Sequence, residues 1–155
     1  MTAPIELHPI ATVIGGRTEA IDDGWGPVEA VIRLDSDRFP ATVLAGLDGF
    51  SHLDVVFFFH GVDESRINLG ARHPRNREDW PLVGIFAQRA KARPNRIGVT
   101  TCELVGVDGH DVAVRGLDAI DSTPVLDIKP HVVEFGPRTP VVQPAWMTEL
   151  MAGYW

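Results

Sequence analysis

The feature that most narrows the fold is the stretch around Asp108 and Gly109. Val105 and Val107 alternate with polar or small residues on one side, and Val112 and Val114 alternate on the other. Asp-Gly between two alternating apolar runs predicts a β-hairpin, because glycine supplies the positive φ that a tight turn needs. The remaining apolar pattern is short and β-like. Strands are predicted at Ile5–Ile14, Val28–Leu34, Val83–Phe86 and Pro124–Ile128. Leu53–His60 is an almost unbroken run of β-branched and aromatic residues, which reads as a strand buried on both faces. Ile97–Val107 is longer, and its apolar parity switches between Ile97/Val99 and Cys102/Leu104. Such a switch predicts either a bulge or a strand covered on both sides. Many short strands point to a mainly-β, single-domain barrel over residues 1–155.

The tail differs. Pro144 is placed to open a helix, on which Trp146, Met147, Leu150, Met151 and Tyr154 form one apolar stripe. The segment has no basic face, so docking onto the core or onto a second copy explains the stripe better than a membrane does. Between His60 and Pro81, roughly twenty residues show no periodicity. Unstructured loops of that length are uncommon in compact domains and are often functional.

No apolar run approaches the ~18 residues of a membrane span, and the first residues lack the basic-then-apolar pattern of a secretory signal. A lone cysteine, Cys102, suits a reducing, cytoplasmic setting and reads as a small buried hydrophobe. Six scattered histidines, with no CxxC or HExxH pairing, give a metal site no support. Gly24-Trp25-Gly26 has two glycines of a dinucleotide fingerprint but lacks the third and opens no helix.

Charge is uneven. The formal net charge is −7, yet residues 66–96 carry eight Lys and Arg against Glu78 and Asp79, a net of +6 that leaves −13 on the rest. A basic segment on an acidic body can hold a phosphate-bearing ligand locally and repel it elsewhere; a solvated, partnerless loop is the alternative.

Three blocks in order, LDGFSHLDVVFFFH (Leu47–His60), VGIFAQRAKARPNRIGV (Val83–Val99) and GLDAIDSTPVLDIKP (Gly116–Pro130), resemble the TsaA-like family. Gln88 stands where that family usually has threonine. The resemblance implies a β-barrel methyltransferase that binds S-adenosyl-L-methionine, works as a homodimer, and methylates N6 of threonylcarbamoyl-adenosine beside the anticodon of tRNA. A regulatory module that binds the cofactor, or a methyltransferase of a small molecule, are the alternatives. Carried over by position, cofactor contacts are expected at Gly24, Trp25, Gly26, His60, Gly61, Arg89, Val99, Arg115, Gly116, Leu117 and Asp118. Arg89 suits either a cofactor carboxylate or a structural salt bridge. Asp118, Asp121 and Asp127 flank Pro124 at intervals that suit a loop turning carboxylates toward one site, or simple turn formation. Asp121 is the expected proton acceptor. Lys91, Arg93, Asn95, Arg96 and Lys129 are the expected RNA contacts.

Overall fold

The computed structural model describes residues 1–155 throughout. Its strands are β1 (Ala11–Ile14), β2 (Glu29–Leu34), β3 (His52–Phe58), β4 (Ala71–Arg72), β5 (Val83–Gly84), β6 (Ile97–Asp108), β7 (Asp111–Arg115) and β8 (Pro124–Pro130). One helix, α1, spans Ala145–Met151. Six strands close into a barrel in the order β1-β2-β7-β6-β3-β8, every neighbouring pair antiparallel. Closure leaves no free edge along the barrel. The seam is short, Ala11 opposite Val125 and Thr12 opposite Pro124.

Alternation fills the interior. Val13, Ile32, Leu53, Val55, Phe57, Val112, Val114 and Val125 point inward and are fully buried. On β3 the second face is half-buried rather than sealed. β6 takes neither predicted form at the parity switch: its second face is open, with Val99, Thr101 and Glu103 exposed, and its buried row runs on unbroken through the switch. Its buried positions are Gly98, Thr100 and Cys102, and Ile97 through Thr101 all border one cavity. A bulge follows between Leu104 and Gly106. Gly98 has a packing reason: a Cβ there would lie 2.6 Å from the Phe57 ring and 2.9 Å from Phe59. Burial pushes the Cys102 thiol up to about 12, with Asp118 and Asp54 adding to the shift.

The hairpin forms as expected, with Gly109 at φ +59°. Asp108 pairs with Asp111, so Gly109-His110 is the two-residue loop. Two strand expectations shrink. Of Ile5–Ile14 only Ala11–Ile14 finds partners, β2 and β8, and residues 1–9 stay exposed. Of Val83–Phe86 only Val83–Gly84 pairs, before a 3-10 turn over Ile85–Ala87. The aperiodic stretch after His60 is organised by this pair: β4 and β5 make a small separate sheet. The buried Gln88 side chain clamps it, its amide donating to the carbonyls of Arg72 (3.1 Å) and Val83 (3.0 Å).

Candidate functional site

Between the barrel, the excursion that holds β4 and β5, and α1 lies a cavity of about 1300 Å³. The barrel contributes Phe57 and Val99, and its β3 end gives Phe59, His60 and Gly61. The excursion contributes Arg66, Arg72, Arg75, Arg89, Lys91 and Arg93. The tail closes one side with Trp146, Met147, Leu150, Met151 and Tyr154, the same stripe that the sequence shows. Its apolar face is thus docked across the cavity. The tail is held by the Trp80 indole donating to Glu149 (2.8 Å), and by Gly24 and Trp25 N–H donating to the carbonyls of Gly153 (2.9 Å) and Tyr154 (2.8 Å).

Asp118 is the carboxylate at the centre. One oxygen accepts from the Thr100 hydroxyl and the other from the Tyr154 hydroxyl. Burial raises the Tyr154 phenol well above its ordinary value, with the Asp118 charge second and its hydrogen bond third, against lowering by Arg89 and Arg75. Arg89 Nη2 donates to the Val99 carbonyl at 2.7 Å, which lays its guanidinium along β6. Arg75 is a fork on Asp23 (2.7 and 3.1 Å), which holds Asp23 below the usual carboxylate range through that hydrogen bond. Two turns that border the cavity carry strained backbone: Arg75-Asn76 and Asn95-Arg96 all have φ between +50° and +64°, each pair following a proline. Left-handed non-glycine residues cost energy and cluster at functional sites.

Of the eleven expected cofactor positions, Trp25, His60, Gly61, Arg89, Val99 and Asp118 line the cavity. Gly24, Gly26, Arg115, Gly116 and Leu117 do not. Gly24 pairs with the tail, and a Cβ on Gly26 would meet the Trp155 backbone at 2.8 Å, so these glycines admit the C-terminal segment. Arg115 pairs outside the cavity with Glu29 (2.6 Å) and Glu103 (3.0 Å). Gly116 turns the chain at φ +78°, and Leu117 is buried in the barrel.

Asp121, the expected proton acceptor, lies off the cavity lining. Its oxygens accept from Gly15 N–H (2.7 Å) and the Ser122 hydroxyl (2.9 Å), and these bonds, Gly15 first, hold it below the usual carboxylate range. That geometry favours the turn-forming reading of this aspartate.

Of the expected RNA contacts, Lys91, Arg93 and Asn95 line the cavity, while Arg96 and Lys129 do not. Arg93 donates to the Gln88 carbonyl (2.7 Å). Arg96 donates to the Val62 carbonyl (2.8 Å) and pairs with Glu64 (3.0 Å). Lys129 pairs with Asp127 at 2.7 Å. Sequence reasoning missed Arg72, Thr100 and Tyr154 as site residues; Arg72 left a signal as one of the eight cations of residues 66–96 and Tyr154 as the last member of the tail stripe, while Thr100 left none.

Fold and site together define a closed antiparallel β-barrel with a large, cation-rich side cavity. Residues 23–136 match the family model for the tRNA-methyltransferase O N-terminal domain, and the chain belongs to that family. A Mus musculus tRNA (adenine(37)-N6)-methyltransferase is 40% identical over 104 residues, 67% of this chain and 24% of that protein. A probable S-adenosyl-L-methionine-binding protein of Methanothermobacter thermautotrophicus is 40% identical over 131 residues, 82% of this chain and 90% of that protein. The crystal structure of TrmO from P. aeruginosa has a TM-score of 0.75 and 25% identity, covering 94% of this chain and 63% of that one. The chain therefore spans 24% of the mouse relative and 63% of the TrmO structure.

Proposed function

We propose that this chain binds S-adenosylmethionine in the cavity and transfers its methyl group to N6 of adenosine 37 of a tRNA, with threonylcarbamoyl-adenosine as the acceptor. The observation that carries this reading is the convergence of Trp25, His60, Gly61, Arg89, Val99 and Asp118, scattered in sequence, on one cavity. Its volume, about 1300 Å³, exceeds the ~300–1,000 Å³ typical of a single small-ligand site, which leaves space for an acceptor base beside the cofactor.

The lining fits the cofactor's chemistry. Phe59 and Trp146 offer flat apolar surface to an adenine ring. Arg89 uses one nitrogen on Val99 and keeps donors for a carboxylate. Asp118 accepts one hydroxyl on each oxygen and retains lone pairs for a ribose hydroxyl or an ammonium. When bound, the cofactor supplies an electrophilic methyl group on a cationic sulfur. The chain's part is positioning: holding the two reactants in line is worth many orders of magnitude in effective concentration. The docked α1 stripe keeps water from one side. The same reading takes residues 1–155 as one domain, working as a cytoplasmic homodimer on tRNA.

The mouse relative's name supports the tRNA acceptor. The Methanothermobacter relative, matched over 90% of its length, is described only as binding the cofactor. That favours a second reading in which the barrel binds cofactor without transferring its methyl group.

Calorimetric titration with S-adenosylmethionine tests the first step. Wild type is expected to bind, and Arg89→Ala and Asp118→Ala to weaken binding about tenfold or more, the scale of one lost charge-assisted hydrogen bond. A folded wild-type protein without affinity ends the proposal. Binding without methylation of any tRNA selects the second reading.

A further inference from the structure

The chain has fourteen Lys and Arg. Ten of them donate to a carboxylate or a backbone carbonyl. The four without a partner are Arg66, Arg72, Lys91 and Arg138, and the first three all line the cavity. Arg72 stands out further. Its Nε is the one buried side-chain nitrogen or oxygen in the whole chain without a hydrogen-bond partner. A buried charged donor left without an acceptor costs more than an ordinary lost hydrogen bond, so such a group is expected to meet an acceptor that arrives from outside the chain.

No group on the lining accepts from the Arg72 side chain. The acidic residues there are Asp22 and Asp118. Asp118 is engaged by Thr100 and Tyr154, and Asp22 lies 3.9 Å from Arg75. Arg72 is also held in place from behind: its backbone is paired in β4 with Val83, and its carbonyl accepts the buried Gln88 amide. A guanidinium on a fixed backbone, with two further cations on the same surface, is built to receive an anionic oxygen group.

We propose that Arg66, Arg72 and Lys91 form an anion subsite that binds an anionic oxygen group of the acceptor, either a carboxylate on the N6 substituent of its base or a backbone phosphate, and so select the acceptor. The proposal rests on the tRNA reading above for the identity of the acceptor. It is separate from the cofactor contacts, which are assigned to Arg89 and Asp118.

The test is equilibrium binding, by fluorescence anisotropy and without cofactor, of two labelled anticodon stem-loops. One carries threonylcarbamoyl-adenosine with its free carboxylate, the other the same substituent as a neutral amide. Each is titrated against wild type, Arg72→Gln, Arg66→Gln and Lys91→Gln at several salt concentrations. The two exposed positions serve if Arg72→Gln fails to fold. If the anion is the carboxylate, wild type binds the acid about tenfold or more tighter than the amide, and the variants erase the difference. If it is a phosphate, the variants weaken both stem-loops equally and flatten the salt dependence by about one charge each. Equal binding of both stem-loops by wild type and all variants overturns the subsite. So does a variant that loses affinity for S-adenosylmethionine and none for RNA, since the cations then belong to the cofactor. Failure of the methyl-transfer reading looks different: the stem-loops are bound with the charge dependence above, yet none is methylated.

Discussion

Tyr154 is the chain's only tyrosine, and its hydroxyl joins the tail to Asp118. Burial, then the Asp118 charge, raises its pKa. Because the folded value lies above the unfolded one, the stabilisation is complete below the ordinary pH of ~10 and declines as pH rises beyond it. Spectrophotometric titration with base is therefore expected to show phenolate only above that pH, together with unfolding. A phenolate that forms near pH 10 in a folded protein would mean that the Tyr154–Asp118 contact is absent in solution. Asp121 has the opposite sign. Its lowered pKa adds stability above ~3.9, lost as pH falls through the folded value. Asp121→Asn keeps an acceptor for Gly15 N–H and is expected to leave methyl transfer within a few-fold of wild type, while Asp121→Ala lowers Tm. Loss of transfer in Asp121→Asn with cofactor affinity intact would restore Asp121 as the proton acceptor.

Among the elements, β6 links core and site. Its inward row, Gly98, Thr100 and Cys102, packs the barrel, and Thr100 also reaches Asp118; its outward Val99 borders the cavity. Gly98 makes this two-sided use possible by letting the Phe57 and Phe59 rings lie against the strand. Gly98→Ala is expected to cost about 1–3 kcal/mol, the range for overpacking a filled core. Denaturant unfolding measures it, and an unchanged midpoint would show that the two rings move aside freely. The strand's apolar parity switch was visible in the sequence; that residues of both its faces border the cavity was not, since alternation shows that two faces differ and not what lies beyond them. The α1 stripe is similar. Its periodicity identified the helix, but no local signal shows that the covered surface is a cavity.

For the molecule as a whole, charge separates body from site. The basic segment expected to meet RNA is real in sequence, yet Arg75, Arg77 and Arg96 are paired with Asp23, Asp79 and Glu64. Five of its eight charges remain for a nucleic acid. Binding of unmodified tRNA is expected to weaken with salt by a log–log slope of about four, not the eight that the raw count suggests. Titration of affinity against salt measures this slope, and a steep one would show that the internal pairs open on binding.

What the sequence by itself determined is the family, through three ordered blocks, and the barrel, through alternation and the Asp-Gly hairpin. Both are carried by local order along the chain. The tertiary structure decided which residues share the cavity. Trp25, Arg72, Asp118 and Tyr154 are brought together by closure of the barrel, folding of the excursion and docking of α1. It decided too which charges are free, because an arginine's partner is commonly a carbonyl or carboxylate distant in sequence, as Arg75 finds Asp23. Periodicity reports which way a side chain points; only packing reports what it meets.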